Sequence, residues 1–228
     1  MSSLGYALES EIEDFFLSFT GQNKHDPILM SDDKGMIRLN RTFRIPTSGA
    51  MDSMAGDVVT CIPWLPRQFK VECKSRYEKT KKDGSIIFLE HEWIKKNNEE
   101  AETDHQMPLL AFTFKKVKKD RLWWMVKQED FHKLVHSVSF DQHTRAWNMS
   151  NDQTSYLPNK KGDKTRLVHS HLSQITDGVQ TLIINEERYI LLRHSEFTSL
   201  MKSHKSNDEK FKRQVKETME RRRSRQNV

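Results

Sequence analysis

Cysteine, glycine and proline are all scarce in this chain: its 228 residues include two Cys, eight Gly and six Pro. Two cysteines cannot build the disulfide framework that holds small secreted domains together. So little Gly and Pro excludes a collagen repeat and a low-complexity chain. No stretch approaches the roughly 20 consecutive apolar residues that a membrane-spanning helix needs. The opening Met1-Ser2-Ser3-Leu4 has neither the basic start nor the apolar run of a secretory signal, so an intracellular location is expected: cytoplasm or nucleoid, or the host cell interior for a viral protein. G-x-x-x-x-G-K-[ST] and G-x-G-x-x-G are missing too, which leaves a nucleotide-cofactor enzyme without its phosphate cradle. The ten His residues include His169-x-His171 and the pair His132 and His136, but no cysteine pair joins them at zinc spacing. They are read as surface histidines.

What is present is a globular composition, 35% hydrophobic and 31% charged, in a length that suits one domain with an appendage or two small ones. The formal net charge is +6. Residues 201–228 carry ten Lys and Arg against four Asp and Glu, so the whole excess sits in that tail. Tails of this kind engage phosphate backbones, aid solubility or serve as targeting signals.

Along the chain, Leu8, Ile12, Phe15, Phe16 and Phe19 recur at helical spacing, and Gly21 ends that helix. Turn signals crowd residues 22–50, which read as a polar loop with at most a short strand at 36–39. Residues 57–62 and 69–74 read as two strands of a hairpin across Pro63-Trp64-Leu65-Pro66-Arg67. A helix near 86–101, strands at 109–114 and 122–126, and a helix from Glu129 follow. Residues 137–178 read as an insertion or flexible arm, and strands at 181–185 and 188–192 precede a short helix at 196–201. The domain reading is a core over 1–136, an extension over 137–201 and a flexible or helical basic tail over 202–228. Trp124 is expected in the core. Trp64, between two prolines, is expected to be the exposed tryptophan.

Asp57, Glu72 and Lys74 form a D-x14-E-x-K pattern. Strand alternation puts Phe69, Val71 and Cys73 on one face and sets Glu72 beside Lys74 on the other. Two carboxylates held close together repel and stay ionised only with a cation between them. Hard oxygen donors at this density suit Mg²⁺, which retains several waters and binds phosphate oxygens at the same time. Lys74 beside such a site could orient a nucleophilic water and stabilise developing charge. The plainer alternative is an ordinary Glu/Lys pair on an exposed strand.

The stretch Arg44-Ile-Pro-Thr-Ser48-Gly49-Ala50, with Gly56-Asp57-Val-Val and Val71-Glu72-Cys73-Lys74-Ser75-Arg76, resembles archaeal Holliday junction resolvases of the PD-(D/E)xK nuclease superfamily. Gly5-x-x-x-Glu9 in the first helix extends the likeness, which covers about residues 4–136. It implies an α/β fold in which helices flank a central mixed sheet, followed here by a C-terminal extension. It also implies a Mg²⁺-dependent endonuclease, with Mn²⁺ able to substitute, that acts as a homodimer making paired cuts in branched DNA. Carried over residue by residue, Asp57, Glu72, Glu9 and the Cys73 backbone carbonyl would hold the metal. Lys74 would assist the attacking water, and Glu13 stands in reserve for Glu9. Ser48 would act at the cut, with Arg44, Ser75, Arg76, Lys79, Lys81 and Lys82 on the DNA. The chain departs from that pattern at Gly56, where the usual residue is Pro, in a longer hairpin at Pro63–Arg67, and throughout residues 137–228. Two other readings stay open: a nuclease of the same superfamily cutting linear duplex, flaps or single strands, and a non-catalytic nucleic-acid-binding protein.

Overall fold

The computed structural model describes residues 3–45, 56–65, 67–75, 86–114, 117–136, 157–158, 164–174 and 180–226. Its elements are α1 (Ser3–Thr20), β1 (Leu29–Ser31), β2 (Ile37–Leu39), β3 (Phe43–Arg44), β4 (Val58–Val59), β5 (Phe69–Lys74), β6 (Ile86–Glu90), α2 (His91–Thr103), β7 (Met107–Thr113), β8 (Leu122–Lys127), α3 (Gln128–His136), β9 (Leu157–Pro158), β10 (Lys164–Val168), α4 (His169–Gln174), β11 (Gln180–Ile184), β12 (Glu187–Arg193) and α5 (His194–Gln226). A seven-stranded sheet runs in the order β11-β12-β8-β7-β5-β4-β3. Only the β5–β7 pair in it is parallel, so the sheet is mixed, as expected.

Alternation divides the core between the two faces of this sheet. On one face Phe69, Val71 and Cys73 of β5, Leu109 of β7, Trp124 and Val126 of β8 and Leu192 of β12 meet Leu8, Ile12 and Phe16 of α1, Phe131 of α3 and Phe197, Leu200 and Met201 of α5. The other face sets Leu110, Phe112, Trp123, Met125 and Leu191 against Ile94 of α2, Ile87 and Leu89 of β6, Leu167 of β10 and Leu172 of α4. Every residue of β7 is buried, the pattern of a central strand covered on both sides. The apolar stripe of α1 is the reason for its helix, and Gly21 stops it at a φ of 74°.

Four elements differ from the sequence expectations. Residues 86–90 form a strand, not the start of a helix. Ile87 and Leu89 alternate inward, and the partner is β10, with Ile87 opposite Leu167, some eighty positions along the chain. The 22–50 region holds an exposed hairpin of β1 and β2 as well as β3 at the sheet edge. The expected 57–62 strand is only Val58–Val59. Beyond it the Gln68 side chain takes over the turn: its Oε1 accepts from the Ile62 N–H at 2.6 Å and its Nε2 donates to the Ile62 carbonyl at 2.9 Å. The short helix expected at 196–201 extends as α5 to residue 226.

The described residues after 136 pair with strands from before it. β12 lies beside β8 with Leu192 opposite Trp124, and β10 completes a smaller three-stranded sheet with β6 and β9. Trp124 is fully buried, as expected, whereas Trp64 is half-buried against the core, with Phe19 beside it and Lys205 over its ring. His91 and His204 are buried, contrary to the surface reading of the histidines. No helix among the described residues is long and apolar enough to cross a membrane.

Candidate functional site

The start of β4 and the C-terminal half of β5, paired next to each other in the sheet, carry Asp57, Glu72 and Lys74. Asp57 sits just before β4, where its N–H donates to the Val71 carbonyl at 2.9 Å and its Oδ2 accepts from the Cys73 N–H at 2.7 Å. The carboxylate therefore continues the β4–β5 ladder by one side-chain bond. In such a ladder a residue's N–H and C=O face the same neighbour, so the Cys73 carbonyl faces the Asp57 side as well.

Gly56 explains how the chain reaches this position. Its φ is 91°, and a Cβ there would lie 3.0 Å from Lys70 Cγ and 3.3 Å from Lys70 Cε. Only glycine adopts that backbone easily while a buried lysine stem passes so close. Lys70 is 1% exposed, and its ammonium is held by Asp104 at 2.6 Å and Glu100 at 3.9 Å at the end of α2. The departure from proline at position 56 thus has a local cause.

Glu72 and Lys74 project together from β5 and are ion-paired, as alternation predicts. The Lys74 ammonium also stands 4.7 Å from the centre of the Trp93 ring, a cation–π contact supplied by the first turn of α2. Trp93 is a neighbour that sequence reasoning missed. Its place beside the β5 end depends on strand β6, which was read as helix.

Glu9 comes from α1 on the opposite face of the sheet. It is buried and paired with Arg44 at 3.4 Å, and the Arg44 guanidinium lies 3.9 Å over the Tyr6 ring. Glu13, one turn further on, is buried with Arg41 at 3.3 Å and with Lys24 at 3.3 Å. The two glutamates that the sequence left as alternatives thus have different surroundings.

Electrostatics ties the group together. Burial, then the Asp57 charge, pushes the Glu9 carboxyl above its ordinary value, with Arg44 and Lys74 pulling it down. The Glu72 carboxyl is pushed up by the same two causes, burial first and Asp57 second, against the opposing pull of Lys74. Burial raises the Cys73 thiol well above its usual range, and Asp57, Glu72 and Glu9 add to it. Asp57 is the node: its charge reaches a carboxylate on either side.

The donor chemistry fits a hydrated hard cation. Among the described residues no three His, Cys, Asp or Glu side chains stand close enough to enclose a metal ion. A cation here would rest on Asp57, Glu72 and the Cys73 carbonyl, with water completing its shell, the sparse protein ligation that Mg²⁺ favours.

Ser75 follows β5 and accepts a hydrogen bond from the Thr113 hydroxyl at 3.3 Å, at the C-terminal ends of the parallel pair β5 and β7. Open α/β sheets place ligands outside the carboxyl ends of such strands. Ser48, Arg76, Lys79, Lys81 and Lys82 lie outside the described residues, as do Lys115, Lys116 and Trp147.

No family model and no curated protein sequence matches the chain. Among solved structures it is similar to the 1.6 Å structure of Hjc, a Holliday junction resolvase from the archaeal hyperthermophile Archaeoglobus fulgidus. The likeness covers 75% of this chain and 93% of that one, at 9% sequence identity and a TM-score of 0.38.

Proposed function

We propose that the protein is a Mg²⁺-dependent endonuclease that hydrolyses phosphodiesters in branched DNA, four-way junctions above all, with Mn²⁺ able to substitute. What supports this reading is that burial first and the Asp57 charge second push up the carboxyls of both Glu9 and Glu72, with Asp57 bonded to the Cys73 N–H and Lys74 ion-paired to Glu72. Carboxylates from three places in the chain, α1, the start of β4 and β5, are coupled by the repulsion of Asp57 with each glutamate, which a bound cation would relieve. A structural ion pair needs only one carboxylate and one ammonium.

In this reading Asp57, Glu72 and the Cys73 carbonyl would hold the metal, and Glu9 would add negative charge to the group. The bound ion would supply Lewis-acid activation of the scissile phosphate and neutralise its charge. Lys74, held by Glu72 and by the Trp93 face, orients the attacking water and stabilises negative charge on the phosphate oxygens. Arg44, paired with Glu9, would exchange that partner for a DNA phosphate. Ser48 and the basic residues 76–82 would contact the flanking backbone.

Paired cuts in a junction need two sites related by an approximate two-fold axis, so the active species is a homodimer. The test is a panel of end-labelled four-way junction, linear duplex, flap and single strand, each with Mg²⁺ or EDTA, with sedimentation of the protein alone and on the junction. Symmetric junction cuts that vanish in EDTA, made by a dimer, are expected. Cleavage confined to another substrate would overturn the junction assignment, and a monomer on the junction would overturn the dimer.

A further inference from the structure

The outer part of α5 is not used by the carboxylate site. The helix begins on the core, where Phe197, Leu200, Met201 and His204 are buried. Lys205 then fastens it to the C-terminal end of α1, donating to the Phe19 carbonyl at 3.3 Å with its ammonium 5.6 Å from the Trp64 ring centre. Beyond that point no described side chain is buried, and Phe211 is 65% exposed. At 1.5 Å per residue, the 22 helical residues 205–226 extend about 33 Å. That is close to one turn of duplex DNA, about 34–36 Å.

Those 22 residues carry nine Lys and Arg against four Asp and Glu. A helix polar on all sides needs either a dense set of i,i+4 pairs or a partner to remain ordered. Among the described residues of this part, the ion pair is Lys212 with Asp208 at 2.7 Å. Lys210, Arg213, Lys216 and the sequence run Arg221-Arg222-Arg223-Ser224-Arg225 belong to a stretch whose basic residues outnumber its acidic ones by five, so the stretch cannot balance its own charge. A second copy of α5 would bring the same excess of positive charge against it, with little more than Phe211 and Val215 to bury. A phosphate backbone supplies what is missing.

We propose that residues 205–226 of α5 form a duplex-binding arm that lies along the phosphate backbone of DNA, separate from the carboxylate group. Its root at Phe19 lies ten residues along α1 from Glu9, about 15 Å. The arm's purpose rests on the reading of the protein as a DNA nuclease, but its binding is measured without cleavage. Each phosphate it neutralises releases counterions, so its contribution falls steeply with salt.

The test uses the full chain in EDTA with a linear duplex of about 30 base pairs, followed by fluorescence anisotropy between 50 and 200 mM salt. Two variants are compared with wild type: one with Lys210, Lys212, Arg213 and Lys216 changed to Gln, the other with Arg221, Arg222, Arg223 and Arg225 changed to Gln. Each is expected to bind at least tenfold more weakly at 100 mM salt, with a log-affinity against log-salt slope shallower by about 2 to 4, while circular dichroism and melting temperature stay at wild-type values. Affinity within twofold of wild type with an unchanged slope in both arm variants overturns the proposal. So does loss of self-association in sedimentation with DNA binding intact, which would assign the arm to a second copy. If wild type cleaves no DNA yet the arm variants lose binding, the arm stands and the nuclease reading falls.

Discussion

At Gly56 two demands meet in one residue, a φ of 91° and room for the Lys70 stem. Changing Gly56 to Ala would force a strained backbone and push on a buried side chain. The expected outcome is a loss of about 1–3 kcal/mol in chemical denaturation, together with reduced cleavage because Asp57 is the next residue. Unchanged stability would mean that the Gly56 backbone is not held as described. His194 gives a second residue-scale test. Its Nδ1 accepts the Trp124 indole N–H at 3.2 Å, so the ring is neutral in the folded protein. Burial lowers the pKa of His194, and of His204, below the ordinary 6.5. Unfolded chains then bind more protons than folded ones as the pH drops below 6.5, so the stability these rings support is complete above that value and is lost as the pH falls through their lower folded values. Thermal melts should be flat from pH 8 to about 6.5 and decline below. Replacing both rings with Gln should flatten the acid side, and an equally steep decline in that double variant would contradict the assignment. The pairing of Glu72 with Lys74 was legible from alternation alone. The difference between Glu9 and Glu13 was not, because both lie on one helical stripe and their distant partners Arg44 and Arg41 decide it.

The elements show where sequence periodicity succeeds and where it fails. Strands 69–74 and 122–127 and helix 3–20 follow their patterns because each buries a continuous stripe or face. β6 was misread because Ile-Ile-Phe-Leu fits a helix or a strand equally, and its partner β10 lies far along the chain in a segment rich in polar residues. The same distance concealed the unity of the fold. With the core expected to end near 136, β12 would have been an addition, yet it pairs with β8 and buries Ile190 and Leu192 in the same core as α1. A chain ending at residue 136 should therefore fail to melt cooperatively. It would expose the free edge of β8 and lose Phe197, Leu200 and Met201, each worth about 2–5 kcal/mol when removed from a packed core. A sharp thermal transition in that fragment would contradict a single cooperative sheet.

For the whole molecule, the positive charge was legible in the tail, but its form as an extension of a core-packed helix was not, since among the described residues three buried apolar side chains, Phe197, Leu200 and Met201, fasten α5 to the body. The resemblance over residues 44–76 supplied the site, and the structure brings Glu9, Asp57, Glu72 and Lys74 from α1, the β4 edge and β5 into electrostatic reach of one another. The central claim is that this group cuts DNA. It is tested most directly by single-turnover cleavage of an end-labelled four-way junction in Mg²⁺ by wild type and Asp57→Asn, with melting temperature and junction affinity measured alongside. Asn keeps an acceptor for the Cys73 N–H and removes the charge on which the group turns. Asp57→Asn is expected to lose about 10²- to 10³-fold in cleavage, with the fold and binding retained. Cleavage by Asp57→Asn within threefold of wild type would contradict it.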